Sequence, residues 1–323
     1  MVTVAEKRIR LGAVSVGIAV DPRRADSIRR SAPYRYLLRP TIGRLTGRAA
    51  PDGPAAPAEE RPDRPPPRPL RAPDTPAARA IVERINGVEW YHSIELPHGV
   101  VTPGFADHRD QVDRYGLPAD MRGMRALDVA TYDGFWAFEM ERRGAEVTAI
   151  DIASWAEFDI PRYLRGEAER AGAAEKITGQ GFRLAHELLG SRVERRILSV
   201  YELAPEKVGT FDVVFLSDLL LHLRDPQRAL ENVASVTREG GFAIVADVYS
   251  PALDAVEDKN LTEFVAFGNY VWWLPSVRTL RTMMRLAGFA RTDELARFCL
   301  SSTSLTPIHK VVLKGYPTAQ EGA

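Results

Sequence analysis

A chain of 323 residues is long for one ordinary domain but suits a single α/β enzyme with an appended segment. Its 43 basic and 43 acidic side chains cancel, so no overall field draws it to nucleic acid or to an anionic membrane. A single cysteine, Cys299, excludes an internal disulfide and a cysteine-rich metal site and fits a reducing, cytoplasmic setting. No run approaches the roughly 20 apolar residues that a spanning helix needs, so no membrane partner is expected.

In chain order, Lys7, Arg8 and Arg10 ahead of the apolar run Leu11 to Val20 imitate a signal peptide. That run ends in Asp21-Pro22-Arg23-Arg24 with no small-residue cleavage site, so it reads as a short strand or packed segment. Residues 1–50 are rich in arginine (Arg23, Arg24, Arg29, Arg30, Arg35, Arg39, Arg44, Arg48), which reads as solvated surface, with an RNA-contacting arm as the alternative. Residues 51–76 carry little besides prolines and charges and should form a semi-rigid spacer. Residues 77–120 are expected to be a helical lid ahead of the fold, 121–317 the catalytic domain, and 318–323 a tail.

From Ile81 onward β-type apolar runs alternate with segments of helical period. Strands are expected at 125–130, 146–151, 195–200, 211–217 and 242–248, with apolar runs again at 289–300 and 309–313. Helices are expected at 135–143, near 161–172, at 182–189, from the Asp225-Pro226 cap to about Arg238, and at 276–287. Gly240-Gly241 should break the chain before the strand at 242. The pattern describes an α/β fold, a doubly wound, Rossmann-like sheet with helices on both faces, behind an N-terminal extension. No internal repeat is visible.

Nucleotide cofactors sit outside the carboxyl ends of parallel strands, where a tight turn brings backbone to the ligand and an acid after the second strand grips ribose hydroxyls. Asp128-Val-Ala-Thr-Tyr-Asp-Gly134 is such a turn, Asp151-Ile152 ends the second strand, and Ser199-Val200-Tyr201 follows the third. Asp128, Ala130, Thr131, Gly134, Asp151, Ile152, Val200, Tyr201 and Ser217 are therefore the expected cofactor-binding residues. Ala130 and Thr131 stand where glycine would permit the closest backbone approach. No metal site is expected.

The succession Phe211 to Pro226, a helix, Glu239-Gly-Gly241 and another strand resembles the second half of class I S-adenosylmethionine-dependent methyltransferases. Trp90-Tyr-His-Ser-Ile-Glu-Leu, Leu219-Leu-Leu-His222-Leu-Arg-Asp-Pro226, Asn269-Tyr-Val-Trp-Trp-Leu-Pro-Ser276 and Ala287-Gly-Phe289 narrow this resemblance to the tRNA wobble-uridine carboxymethyltransferase family and its relatives. That family uses a carboxylated S-adenosylmethionine. It holds the extra carboxylate with a lysine, a tyrosine and an arginine, and the matching positions here are His92, Leu221 and Lys310. Leucine offers no hydrogen bond and histidine is largely neutral at pH 7. A carboxylate buried there has Lys310 alone to offset its desolvation in part, so ordinary S-adenosylmethionine is the expected cofactor.

Methyl transfer is an in-line displacement on a sulfonium carbon, and a base is required when the nucleophile's proton must leave. His92, with Tyr91 beside it, and His222 are the expected catalytic residues. Trp272 and Trp273 offer a flat wall for a planar acceptor, and Asn269 and Lys310 complete the expected substrate set. The expected reaction is O-methylation of a small-molecule acceptor. The alternatives are a tRNA wobble-uridine transferase with tRNA as partner, and a non-catalytic S-adenosylmethionine-binding protein.

Overall fold

The structure, a computed structural model, describes residues 5–11, 14–20, 74–160, 178–265, 271–304 and 307–317, together with 162 and 165. The Arg-rich stretch from 21 to 50, most of the Pro-rich spacer, most of the helix expected near 161–172, and Asn269 lie outside the described residues. In chain order come β1 (Ala5–Leu11), β2 (Val14–Val20), α1 (Pro76–Ile85), β3 (Glu95–Leu96), β4 (Val100–Val101), β5 (Arg125–Val129), α2 (Phe135–Arg142) and β6 (Glu146–Asp151). There follow α3 (Gln180–Leu189), β7 (Glu194–Ile197), α4 (Pro205–Val208), β8 (Phe211–Ser217), α5 (Pro226–Val236) and β9 (Thr237–Val248). The chain closes with α6 (Pro251–Asp254), β10 (Thr262–Phe264), β11 (Trp273–Pro275), α7 (Val277–Leu286), β12 (Arg291–Cys299) and β13 (His309–Tyr316).

Seven strands make one sheet in the order β12-β13-β9-β8-β5-β6-β7. The pairs β6–β7, β5–β6, β5–β8 and β8–β9 are parallel, whereas β13 is antiparallel to both β9 and β12. The chain winds outward from β5 through β6 to β7, then returns to the other side of β5 at β8. The switch point, where an open α/β sheet forms its ligand crevice, therefore lies between β5 and β8.

Neighbouring residues of the inner strands are buried on opposite faces, as the two-residue period of a strand requires. Ala126, Val213, Phe215 and Ile244 pack with α2 and α3 through Phe138, Met140 and Phe182, while Leu127, Val214, Leu216 and Val245 pack with α5 and α7 through Leu230, Val233, Leu280 and Met284. The helices start where their caps dictate. Thr75, Asp225 and Ser276 each accept a hydrogen bond from the backbone N–H three residues on, and Pro76 and Pro226 occupy first helical positions.

Two sequence expectations change. The stretch 77–120 is helical only to Ile85, apart from short 3₁₀ turns at Pro97–Gly99 and Val112–Tyr115. Gly87, Pro97, Gly99, Pro103 and Gly104 interrupt any longer helix. Strand β9 begins at Thr237 and runs through Gly240-Gly241, which form a bulge opposite Phe211 to Val213. Gly240 has φ +75°, and a Cβ on Gly241 would lie 2.8 Å from the Asp212 carbonyl oxygen, so the glycines admit a bulge inside the strand where they were expected to break the chain ahead of it.

Candidate active site

A cavity opens outside the carboxyl ends of β5, β6, β7 and β8, at the switch point. The turn after β5 forms its floor. Ala130 and Tyr132 take φ of +61° and +51°, so the backbone curls under the cavity without glycine there. Left-handed backbone at a non-glycine residue costs on the order of 1–2 kcal/mol. Asp151 offsets part of that cost, because its Oδ2 accepts the Tyr132 N–H at 2.8 Å and its Oδ1 accepts the Ile152 N–H at 2.8 Å. Burial raises the Asp151 carboxyl above its usual range, against the pull of Arg195 and these two N–H groups.

The loop after β6 forms one wall. Trp155 and Phe158 stack with ring centroids 4.7 Å apart. Asp159 is tied to the opposite wall by Tyr201, whose hydroxyl donates to Oδ2 at 2.7 Å, and by the Arg224 N–H at 2.6 Å. Burial and Asp159 raise the Tyr201 hydroxyl well above its usual value.

The other end of the cavity joins the segment before the fold to the sheet. Asp133 lies in the β5–α2 turn and is almost fully buried. Its Oδ2 accepts the N–H of Tyr91 at 2.9 Å and of His92 at 2.8 Å, and its Oδ1 bonds His92 Nδ1. His92 stacks on Phe135 at 5.4 Å. Gly104 allows this close seating, since a Cβ there would fall 2.1 Å from the His92 carbonyl carbon. The Tyr91 hydroxyl bonds Asp218, and burial followed by that carboxylate raises its pKa well above 10. Lys310 is fully buried and gives its Nζ to Asp218 Oδ1 at 2.5 Å and to the Ala246 carbonyl at 2.9 Å. Behind His92 lies His108, whose Nδ1 meets the Tyr115 hydroxyl at 2.9 Å, and burial pushes its pKa well down.

A family model of the methyltransferase domain matches residues 105–294 of this chain. The chain belongs to the class I S-adenosylmethionine-dependent methyltransferases. A ubiquinone biosynthesis O-methyltransferase of Xanthomonas euvesicatoria pv. vesicatoria (strain 85-10) is 32% identical over 122 residues, which are 38% of this chain and 42% of that protein. The protein of the same description from Bordetella avium (strain 197N) is 29% identical over 126 residues, 39% of this chain and 43% of the other. The chain thus spans about half the length of the curated relatives it matches. Among solved structures, the N-terminal domain of EvdMO1 in the presence of SAH and D-fucose aligns at TM-score 0.48 and 19% identity, covering 74% of this chain and 94% of that one.

The residues of this methyltransferase fit its cofactor. Asp128 and Thr131 are buried side by side on the cavity wall, and burial pushes the Asp128 carboxyl up to about 7 against the pull of the Thr131 hydroxyl. Each Asp151 oxygen spends one acceptor site on backbone and keeps another for a diol. Among the described residues the lining carries five carboxylates, Asp128, Asp151, Glu157, Asp159 and Asp218, and neither lysine nor arginine, a setting for a sulfonium cation.

Of the residues expected from sequence, Tyr91, His92, Asp128, Ala130, Thr131, Asp151, Ile152, Val200, Tyr201, Ser217 and His222 all line this cavity. Gly134 does not. Its φ is +94° and a Cβ would press within 2.8 Å of Phe138 and Phe182, so it serves helix packing. The expected substrate set is dispersed. Trp273 lines a second, apolar cavity with Leu220, Leu221 and Met283, since adjacent residues of an extended segment point opposite ways and Trp272 takes the other side. Trp272 lies behind the wall, with its Nε1 on the Asp159 carbonyl. Lys310 lies beneath Asp218 and outside the lining.

Sequence reasoning passed over Asp133, Asp218, Trp155, Phe158 and Asp159. Asp133 sits inside the turn that was singled out and Asp218 directly follows Ser217, but neither has a periodic or spacing signal that separates it from an exposed turn acid. Among the described residues, no group of three or more His, Cys, Asp or Glu side chains could hold a metal, and no helix is long and apolar enough to cross a membrane.

Proposed function

We propose that this methyltransferase transfers the methyl group of S-adenosylmethionine to a hydroxyl of a small-molecule acceptor, with His92 as the base. The observation that carries the reading is His92, which is held by the buried Asp133 and lines the same cavity as Asp151 and the β5 turn.

When bound, the cofactor supplies an electrophilic methyl on a sulfonium. The residues do the rest. Asp151 would take the ribose diol, and Trp155, Phe158 and Val200 would enclose the adenine. Asp128 and Thr131 would face the cofactor's aminoacyl group from the end of β5 and the turn after it. Asp133 fixes the His92 ring through Nδ1 and so leaves Nε2 to take the acceptor's proton as the oxygen attacks. Burial under the segment before the fold excludes water from the transfer. The curated relatives' O-methyltransferase descriptions agree with an oxygen nucleophile.

With Lys310 engaged by Asp218 and no lysine or arginine among the described lining residues, an added carboxylate would find no free cation, which favours the plain cofactor over a carboxylated one. The same lining disfavours an RNA acceptor, whose phosphates seek cations.

Replacing His92 by Gln keeps a side chain at the site and removes the base. The expected result is a fall in methyl transfer of roughly 10²–10³-fold, read as the 14-dalton mass gain of acceptors in a metabolite extract. S-adenosylmethionine affinity should stay within about twofold. Wild-type turnover in the variant would contradict the role of His92.

A further inference from the structure

The carboxylate that follows β8 has a setting unlike the other four on the cavity. Asp218 adopts φ +53°, lines the cavity, and has a side chain 11% exposed. Lys310, from the strand two places across the sheet, reaches Oδ1 at 2.5 Å, the Ser217 hydroxyl meets Oδ2 at 3.3 Å, and the Tyr91 hydroxyl also bonds it. A carboxylate offers about four acceptor positions, so these three partners leave capacity for one more on a side chain that lines the cavity. Burying a lysine at zero exposure carries a desolvation cost of several kcal/mol, which a matched apolar pair would not incur. Stability alone gives no reason to keep this pair.

The position separates Asp218 from the nucleoside end. Asp151 bonds the turn after β5 and feels Arg195 and Asp133, whereas the groups that feel Asp218 are Tyr91, Tyr115, Asp247 and Lys310. His92 adjoins Tyr91, with their rings 4.6 Å apart.

We infer that Asp218 is the acceptor-recognising residue: it takes a hydrogen-bond donor, a hydroxyl or an ammonium, on the acceptor and turns away acceptors with an anionic head group. This rests on the reading of the cavity as a methyl-transfer site with His92 as its base. Tyr91 and Lys310 are positioning residues that fix the Asp218 carboxylate from the segment before the fold and from β13. Because Lys310 neutralises part of the charge, the site accepts a neutral donor as well as a cation.

The test uses the full chain loaded with SAH and three probes that share a ring: benzylamine, benzyl alcohol and benzoate. Calorimetry should find benzylamine and benzyl alcohol bound at least tenfold more tightly than benzoate. In Asp218→Asn the preference should fall to within about twofold. That variant strands Lys310, so Asp218→Asn with Lys310→Met, which removes both charges together, is measured beside it and should give the same loss. Benzoate binding as tight as benzylamine, no discrimination among the three probes, or a folded variant that keeps the wild-type order would overturn the assignment. Failure of the wild-type chain to load SAH would instead defeat the underlying reading.

Discussion

Two carboxylates, Asp151 at the end of β6 and Asp218 just past the end of β8, face one cavity in different ways. Asp151 is half-buried and bonded to two backbone N–H groups of its own β–turn–β neighbourhood. Asp218 is bonded to side chains from β13 and from the segment before the fold, both remote in sequence. The Asp151 end of the cavity is thus a product of the sheet and its turns. The Asp218 end exists only when three separate parts of the chain have docked.

The contrast should appear first in stability. Asp218→Asn leaves a fully buried Lys310 ammonium without its counter-charge and should cost about 3–5 kcal/mol in the ligand-free protein. Asp151→Asn keeps an acceptor for one of the two N–H groups and should cost about 1 kcal/mol. Urea midpoints of the two variants check this, and equal losses would break the comparison.

A second effect distinguishes Asp128, in strand β5, by pH. Burial holds the Asp128 carboxyl at about 7, against about 3.9 in an unfolded chain. Below pH 4 both states are protonated and the group costs nothing. As pH rises the unfolded state releases its proton first, so the wild type loses stability up to about pH 7. The upper bound is about 4 kcal/mol over three pH units. Asp128→Asn has no such titration and should gain on the wild type between pH 5 and pH 8 in urea titrations of the ligand-free protein. Parallel curves would show that Asp128 titrates normally.

This difference also explains what the sequence disclosed. Strand and helix periods, the Asp225-Pro226 and Ser276 caps, and the spacing from the β5 turn to Asp151 are local, and each is legible in a few adjacent residues. The β9 bulge was misjudged because glycine marks both an end and a bulge, and only pairing with β8 decides between them. Lys310 and Trp273 drew attention for their chemistry, yet their use depends on which face of a strand meets the cavity and on a partner, Asp218, that has no signature of its own. Asp133 was hidden for the same reason: its partners Tyr91 and His92 lie |i−j| of 42 and 41 away, across a docking step that no local pattern encodes.

The account stands on the cavity being a cofactor site with Asp151 on the ribose, and calorimetric titration of S-adenosylmethionine into wild type and Asp151→Ala tests it most directly. Loss of charge-assisted hydrogen bonds should weaken binding at least tenfold, about 1.4 kcal/mol. Unchanged affinity in the variant, or no binding to the wild type, would contradict it.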